Sequence, residues 1–156
     1  MSFHKLKRLY PPSEPCSCEV CKNYCIRPGW WTVDEANLAI NLGYASRMML
    51  EVSPEKTFGV ISPAFKGCEL NFALQEFSKN GCTFYKNELC ELFGTPVQPL
   101  ECRFCHHERV GLGNKCHADI EKDWNTYAGQ KVVKKWIEKV NFKLADYYYN
   151  LVTSKR

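Results

Sequence analysis

No run in this chain approaches the roughly 18 apolar residues of a membrane-crossing helix, so no membrane span is expected. There is no glycine-rich phosphate loop and no Gly-x-Ser-x-Gly elbow. P-loop nucleotide chemistry and α/β-hydrolase chemistry therefore lack their signatures. Internal repeats and low-complexity tracts are missing too, which argues against solenoids and long linkers. The basic start, residues 1–10, has no apolar core of a secretion signal. A cytoplasmic setting is thus expected, where thiols stay reduced.

What the chain does have is ten cysteines in 156 residues. That is too many for chance core thiols, and the chain is too long for a small disulfide scaffold. In a reducing compartment, clustered thiols read as metal ligands or catalytic groups. Hydrophobic residues make up 45% and charged residues 24%, a balance that folds rather than one that stays disordered. The formal net charge of +4 assumes neutral cysteines. Each site of four thiolates around a doubly charged centre removes about two charges, so the basic balance is poor evidence for a nucleic-acid partner.

The first cluster is Cys16-x-Cys18-x2-Cys21-x3-Cys25. An x2 spacing lets two thiolates face one ion from a tight turn whose amides also stabilise the sulfur charge. Cys102-x2-Cys105 repeats it, so two such turns could complete a four-sulfur tetrahedron. Buried thiols or a redox dithiol are the competing reading. Cysteine ligation suits structural zinc and iron–sulfur clusters alike, and the spacing does not separate them.

Around the cysteines the elements are mostly helical. Residues 1–15 read as an extended lead-in, because Pro11, Pro12 and Pro15 disfavour helix. Thr32 and Glu35 fit a capping box opening a helix over residues 33–50. Residues 57–62 read as a short strand stopped by Pro63. Asn80-Gly81 predicts a hairpin pairing residues 72–77 with 83–85. Residues 94–118 read as irregular. From Ala118 the composition is helical, and Val132, Val133, Trp136, Ile137, Val140 and Leu144 recur at helical spacing. Lys131, Lys134, Lys135 and Lys139 line the opposite face, read as solvated rather than as a nucleic-acid surface. Tyr147, Tyr148 and Tyr149 continue this segment.

These residues carry a resemblance. The chain is similar to the zinc- or iron-chelating CxxCxxCC family, also called YkgJ-like. Cys18-x2-Cys21-x3-Cys25, Gly81-Cys82-Thr83-Phe84, Cys90-Glu91-Leu92-Phe93 and Pro99-Leu100-Glu101-Cys102-Arg103 fit its successive pieces. The family's adjacent Cys-Cys is absent, since Lys22 follows Cys21, and Gln98 stands where the family has arginine. The resemblance implies Cys18, Cys21, Cys82, Cys90 and Cys102 as ligands, with Cys25 displaced. It also implies a link to iron–sulfur proteins and to the related cysteine domain of flagellin lysine methylases.

Weaker candidates remain. Of His106 and His107 at most one can face a given metal, because neighbours on an extended segment point to opposite sides. Cys116 and His117 could be ligands or a buried thiol beside a surface histidine. Cys68 reads as a core thiol. Trp30 and Trp31 could form a stacking platform or a lid, with core packing of at least one indole expected. Arg27 and Arg103 flank cysteines and could offset thiolate charge.

The expectation is a mostly α, α+β fold. A cysteine-rich, irregular, metal-stitched core with short strands is packed by an N-terminal helix and C-terminal helices. It forms one domain over 1–156, with the metal-binding core over 16–118 and the helical segment over 119–156. The metal ligands expected are Cys16, Cys18, Cys21, Cys25, Cys82, Cys90, Cys102 and Cys105, holding zinc or an iron–sulfur cluster in a structural or redox role. A metal-dependent enzyme or modification-enzyme partner, and a zinc-dependent protein or RNA interaction module, are the other readings.

Overall fold

Thr32 opens the helix on which the rest of the structure is hung. Its hydroxyl accepts from the Glu35 amide, and the Glu35 carboxylate accepts from the Thr32 amide, the reciprocal pairing that satisfies two orphan donors at once. The computed structural model describes residues 3–12, 14, 16, 18–24, 28–55, 57–104, 106–109 and 111–142. In chain order the helices are α1 (Phe3–Leu9), α2 (Glu19–Tyr24), α3 (Val33–Ala39), α4 (Gly113–Trp124) and α5 (Tyr127–Val140). Two antiparallel pairs complete it: β1 (Met48–Val52) with β2 (Gly59–Pro63), and β3 (Tyr85–Lys86) with β4 (Leu89–Cys90). The fold is mostly α, of the α+β class. No helix among the described residues is long and apolar enough to cross a membrane.

Four local expectations need correction. The lead-in is not extended: Phe3–Leu9 is helical and buries Leu6, because the prolines begin only after its last turn. The helix expected over 33–50 stops earlier. After Ala39 it widens into a π-helical turn, Ile40–Tyr44, in which Gly43 takes φ 98°, a conformation open to glycine but strained for other residues. Met48, Met49 and Leu50 then leave the helix for β1, pairing with Pro63, Ser62 and Ile61. The hairpin is displaced as well. Residues 75–80 form a 3₁₀ segment, and the tight turn sits at Asn87 and Glu88, both at positive φ, as a two-residue hairpin turn requires. Finally, 94–118 is not uniformly irregular: Leu100–Phe104 and His107–Arg109 are 3₁₀ turns, and α4 starts at Gly113.

Three tryptophans form the centre. Trp31, Trp124 and Trp136 are fully buried, and each indole N–H finds a carbonyl: Val97 at 2.7 Å, Trp31 at 2.9 Å and Ala45 at 2.9 Å. An indole buried without such a partner would lose more than its packing returns. The α5 pattern is as expected, with Val132, Val133, Trp136 and Ile137 buried. Its Gln130 is buried and clamps the sheet edge, accepting from the Gly59 amide and donating to the Gly59 and Trp124 carbonyls. On the lysine face, Lys135 donates to Asn37 and Asn41 of the neighbouring helical segment, whereas Lys131, Lys134 and Lys139 are exposed. Leu144 and Tyr147 to Tyr149 lie outside the described residues.

Glu35 does a second job. Its Oε1 also accepts from the Leu100 amide at 3.0 Å, and its Oε2 pairs with Lys7 at 2.9 Å. One buried carboxylate therefore fastens α1 and the 100–104 turn to the start of α3. Tyr10 adds to the tether: its carbonyl accepts from Arg103, its ring packs on Phe104, and Arg109 lies over its face. The chain beyond Tyr10 is thereby brought beside residues 100–109.

Candidate metal centre

The tether has a consequence for the cysteines. Cys16, six residues past Tyr10, and Cys21, in α2, meet His106, which sits just past the 100–104 turn. One ligand atom from each of the three lies within 4.8 Å of the others. Cys21 and His106 are buried and Cys16 half-buried. Two sulfurs and an imidazole nitrogen this close, drawn from segments far apart in sequence, are the donor types a borderline-soft ion takes.

Cys18 completes the cluster at its exposed edge. It stands just before α2, and its sulfur accepts hydrogen bonds from the amides of Cys21 and Val20, as a capping side chain does at a helix start. The Cys21 amide is the strongest influence on its acidity, and the side chains of Cys16 and Cys21 add to it against partial desolvation. Together they bring the Cys18 thiol down to about 7. A thiol titrating there is about half thiolate at neutral pH.

His106 was the weaker candidate in the sequence and is the group that makes the site. The Glu108 amide donates to its Nδ1 at 3.2 Å, and the Glu108 carboxylate stands 3.9 Å from the same nitrogen. The Arg109 amide closes the turn by donating to the His106 carbonyl. The ring is thus held from its Nδ1 side.

The other expected ligands are placed elsewhere or not described. Cys25, Cys105 and Arg27 lie outside the described residues, as does the side chain of His107. Cys102 lies against Gly29, where a Cβ would come within 2.4 Å of its sulfur, so only glycine permits this approach. Cys82 and Cys90 neighbour each other at the β3–β4 hairpin. Burial pushes the Cys82 thiol up to about 12, and Cys90 adds to the rise. Among the described residues neither belongs to the group around His106. Cys68 is a core thiol, as read: its S–H donates to the Phe72 carbonyl at 2.6 Å, and it packs with Met49, Ala64 and Phe65. Cys116 is buried in the main core, and its thiol is raised to about 12 by burial. No disulfide joins any two of the eight described cysteines.

Of the two neighbouring tryptophans, Trp31 is core and Trp30 is half-buried, in tilted contact with His117, ring centres 4.5 Å apart. Arg103 donates to Tyr10 rather than to a sulfur among the described contacts. No protein-family model, curated protein or solved structure matches this chain.

Proposed function

We propose that this chain is a zinc-binding protein in which Cys16, Cys18, Cys21 and His106 hold one structural ion. The observation that carries this reading is the meeting of the Cys16, Cys21 and His106 ligand atoms within 4.8 Å. Cys18 supplies the fourth donor, since the Cys16 and Cys21 side chains already face its sulfur. Three thiolates and one imidazole are a standard closed zinc set. An iron–sulfur cluster is ordinarily held by four thiolates, or by paired histidines in the Rieske case. A single histidine among three cysteines therefore favours zinc over a cluster.

In this reading zinc takes the place of hydrophobic core at the N-terminal end. It joins the Tyr10–Cys21 stretch to residues 100–109, adding to the tether made by Glu35, Tyr10 and Arg103. Binding through Nε2 would put the ring proton on Nδ1, which would then exchange the bond it accepts from the Glu108 amide for one donated to the nearby Glu108 carboxylate, the carboxylate–histidine–metal arrangement that orients a ligand ring. The likeness to the YkgJ-like family agrees in using Cys18 and Cys21 and differs in Cys82, Cys90 and Cys102, which this reading leaves out of the site. Reduced thiols around one ion suit a cytoplasmic protein.

Metal analysis of protein purified without added metal, paired with its visible spectrum, tests the proposal. One zinc per chain and a colourless solution are expected. A brown protein with stoichiometric iron and sulfide would overturn zinc in favour of a cluster. Absence of any stoichiometric metal from reduced protein would overturn the site itself.

A further inference from the structure

One face of α5 has a composition that neither the core nor the thiolate site uses. Tyr127, Lys131, Lys134, Lys135, Glu138 and Lys139 line a groove of about 690 Å³, on the side of the helix away from buried Val132, Val133, Trp136 and Ile137. From sequence these lysines read as a solvated face. The structure adds three observations. Lys131, Lys134 and Lys139 are exposed, and among the described residues no carboxylate forms an ion pair with them. Lys135 is held by the Asn37 and Asn41 side-chain oxygens at 2.7 and 2.8 Å, neutral acceptors that fix its ammonium without cancelling its charge. Tyr127 is 62% exposed, and the Lys131 ammonium stands over its ring, 5.6 Å from the centre.

Four lysines against one glutamate make the groove positive, and a surface of one sign gathers ligands of the other. The residue types narrow the ligand. Lysine is a point charge that suits phosphate, whereas planar pairing with carboxylates favours the arginine fork, and this face has no arginine. Lys131, Lys135 and Lys139 recur every four residues, about 6 Å apart along the helix axis. The charge is therefore a row, matched to an anion that repeats rather than to a single compact one. Tyr127 extends the row by one further step. An exposed ring beside a line of cations is the combination that holds single strands, the ring stacking a base while the cations follow the backbone. An acidic peptide would offer carboxylates but no base for that ring. Glu138 lies between Lys135 and Lys139, so the firmest hold falls over residues 127–135.

We propose that the Tyr127–Lys139 face of α5 binds single-stranded nucleic acid without regard to sequence. Tyr127 stacks one base, and Lys131, Lys134 and Lys135 follow the phosphates. Gln130, the one amide side chain on this stretch, is committed to Gly59 and Trp124, so base edges go unread and affinity follows phosphate number and salt. The case is local and does not rest on the net charge of the chain. The surface shares no residue with Cys16, Cys18, Cys21 and His106, and does not depend on them.

The test uses the full chain as purified and a fluorescein-labelled uridine strand of about ten nucleotides, followed by anisotropy. Neutralising three or four phosphates should make binding weaken on the order of 20- to 50-fold between about 50 and 200 mM salt. Lys131→Gln combined with Lys134→Gln should flatten that salt dependence by about half. Tyr127→Ala should weaken binding at least about fivefold and leave the salt dependence unchanged. Lys79→Gln, exposed on the 75–80 segment, should alter neither. All four side chains face solvent, so each variant should melt with the parent. A thymidine deoxy-strand run in parallel tells RNA from DNA, and binding of either supports the inference. A labelled glutamate peptide of equal length should bind at least about tenfold more weakly, for want of a base to stack. Peptide binding as tight as the strand, with Tyr127→Ala indifferent, would overturn the inference in favour of an acidic protein segment. No strand binding at about 50 mM salt and about 100 μM protein, or binding unaltered in the double lysine variant, would overturn it and leave a solvated face.

Discussion

Among the described cysteines, Cys18 stands in one environment and Cys82 and Cys116 in another, and the contrast says more than the cysteine count. Cys18 sits exposed at a helix start, with amides directed at its sulfur, and titrates near 7. Cys82 is half-buried and Cys116 buried, and burial pushes both thiols up to about 12. The residue is the same, yet in one place the backbone stabilises the thiolate and in the other burial forbids it. A thiol becomes a ligand where the fold supplies hydrogen bonds and a second donor. Elsewhere it behaves as a small hydrophobe with a weak donor.

The largest effect that could break this contrast is expected at Cys21. Replacing it by serine should abolish stoichiometric metal and cost on the order of 4 kcal/mol in denaturant unfolding, because losing a structural ion is among the few severe single-site lesions. Retention of metal by Cys21→Ser would remove the distinction altogether. Cys116→Ser should be milder, about 2 kcal/mol, from a hydroxyl buried without a partner, and should leave the metal content untouched. A drop in metal there would move Cys116 into the ligand class.

Alkylation sharpens the same comparison. In metal-free protein Cys18 should react at least about tenfold faster than Cys116 at neutral pH, with a rate that levels off above about 7. Mass spectrometry of the modified sites reads this directly, and a Cys18 rate still climbing at pH 9 would contradict it. Metal should protect Cys18.

The smallest effect belongs to His117. Its bond to Glu101 raises its pKa above the ordinary histidine value, so in metal-free protein its contribution to stability is full below about 6.5 and lost as pH rises through the raised folded value. The ring is 39% exposed, so solvent screens the pair and a few tenths of a kcal/mol is the scale. His117→Asn should therefore destabilise most near pH 6 and least in alkaline solution, measured as the difference in unfolding midpoint across that range.

Much of the architecture was legible because its causes are local. A capping box is two side chains and two amides within one turn, so Thr32 and Glu35 announced α3. The face of α5 was readable from spacing alone, since helical period fixes which residues are buried. The beginning of the chain was misread because three prolines outweighed Phe3, Leu6 and Tyr10, whose packing depends on partners far along the sequence. The hairpin was misplaced because Asn80-Gly81 is a strong turn signal, while Asn87 and Glu88 turn without a glycine.

The candidate metal-binding group was half visible. Cys16, Cys18 and Cys21 stand close in sequence, and their spacing already implied a shared ion. His106 did not stand out, because its place depends on the Glu35 and Tyr10 tethers to residues 100–109, which no spacing encodes. The bridge from His117 to Glu101 and Glu121 gave only one hint, the four-residue step from His117 to Glu121 on a helix face. Glu101 reaches His117 through tertiary packing alone.

X-ray absorption at the zinc edge of the purified protein tests the central claim most directly. The account predicts about three sulfur scatterers near 2.3 Å and one nitrogen near 2.0–2.1 Å, the nitrogen shell vanishing in His106→Ala. Four sulfurs with no nitrogen, or a shell of oxygen alone, would contradict it.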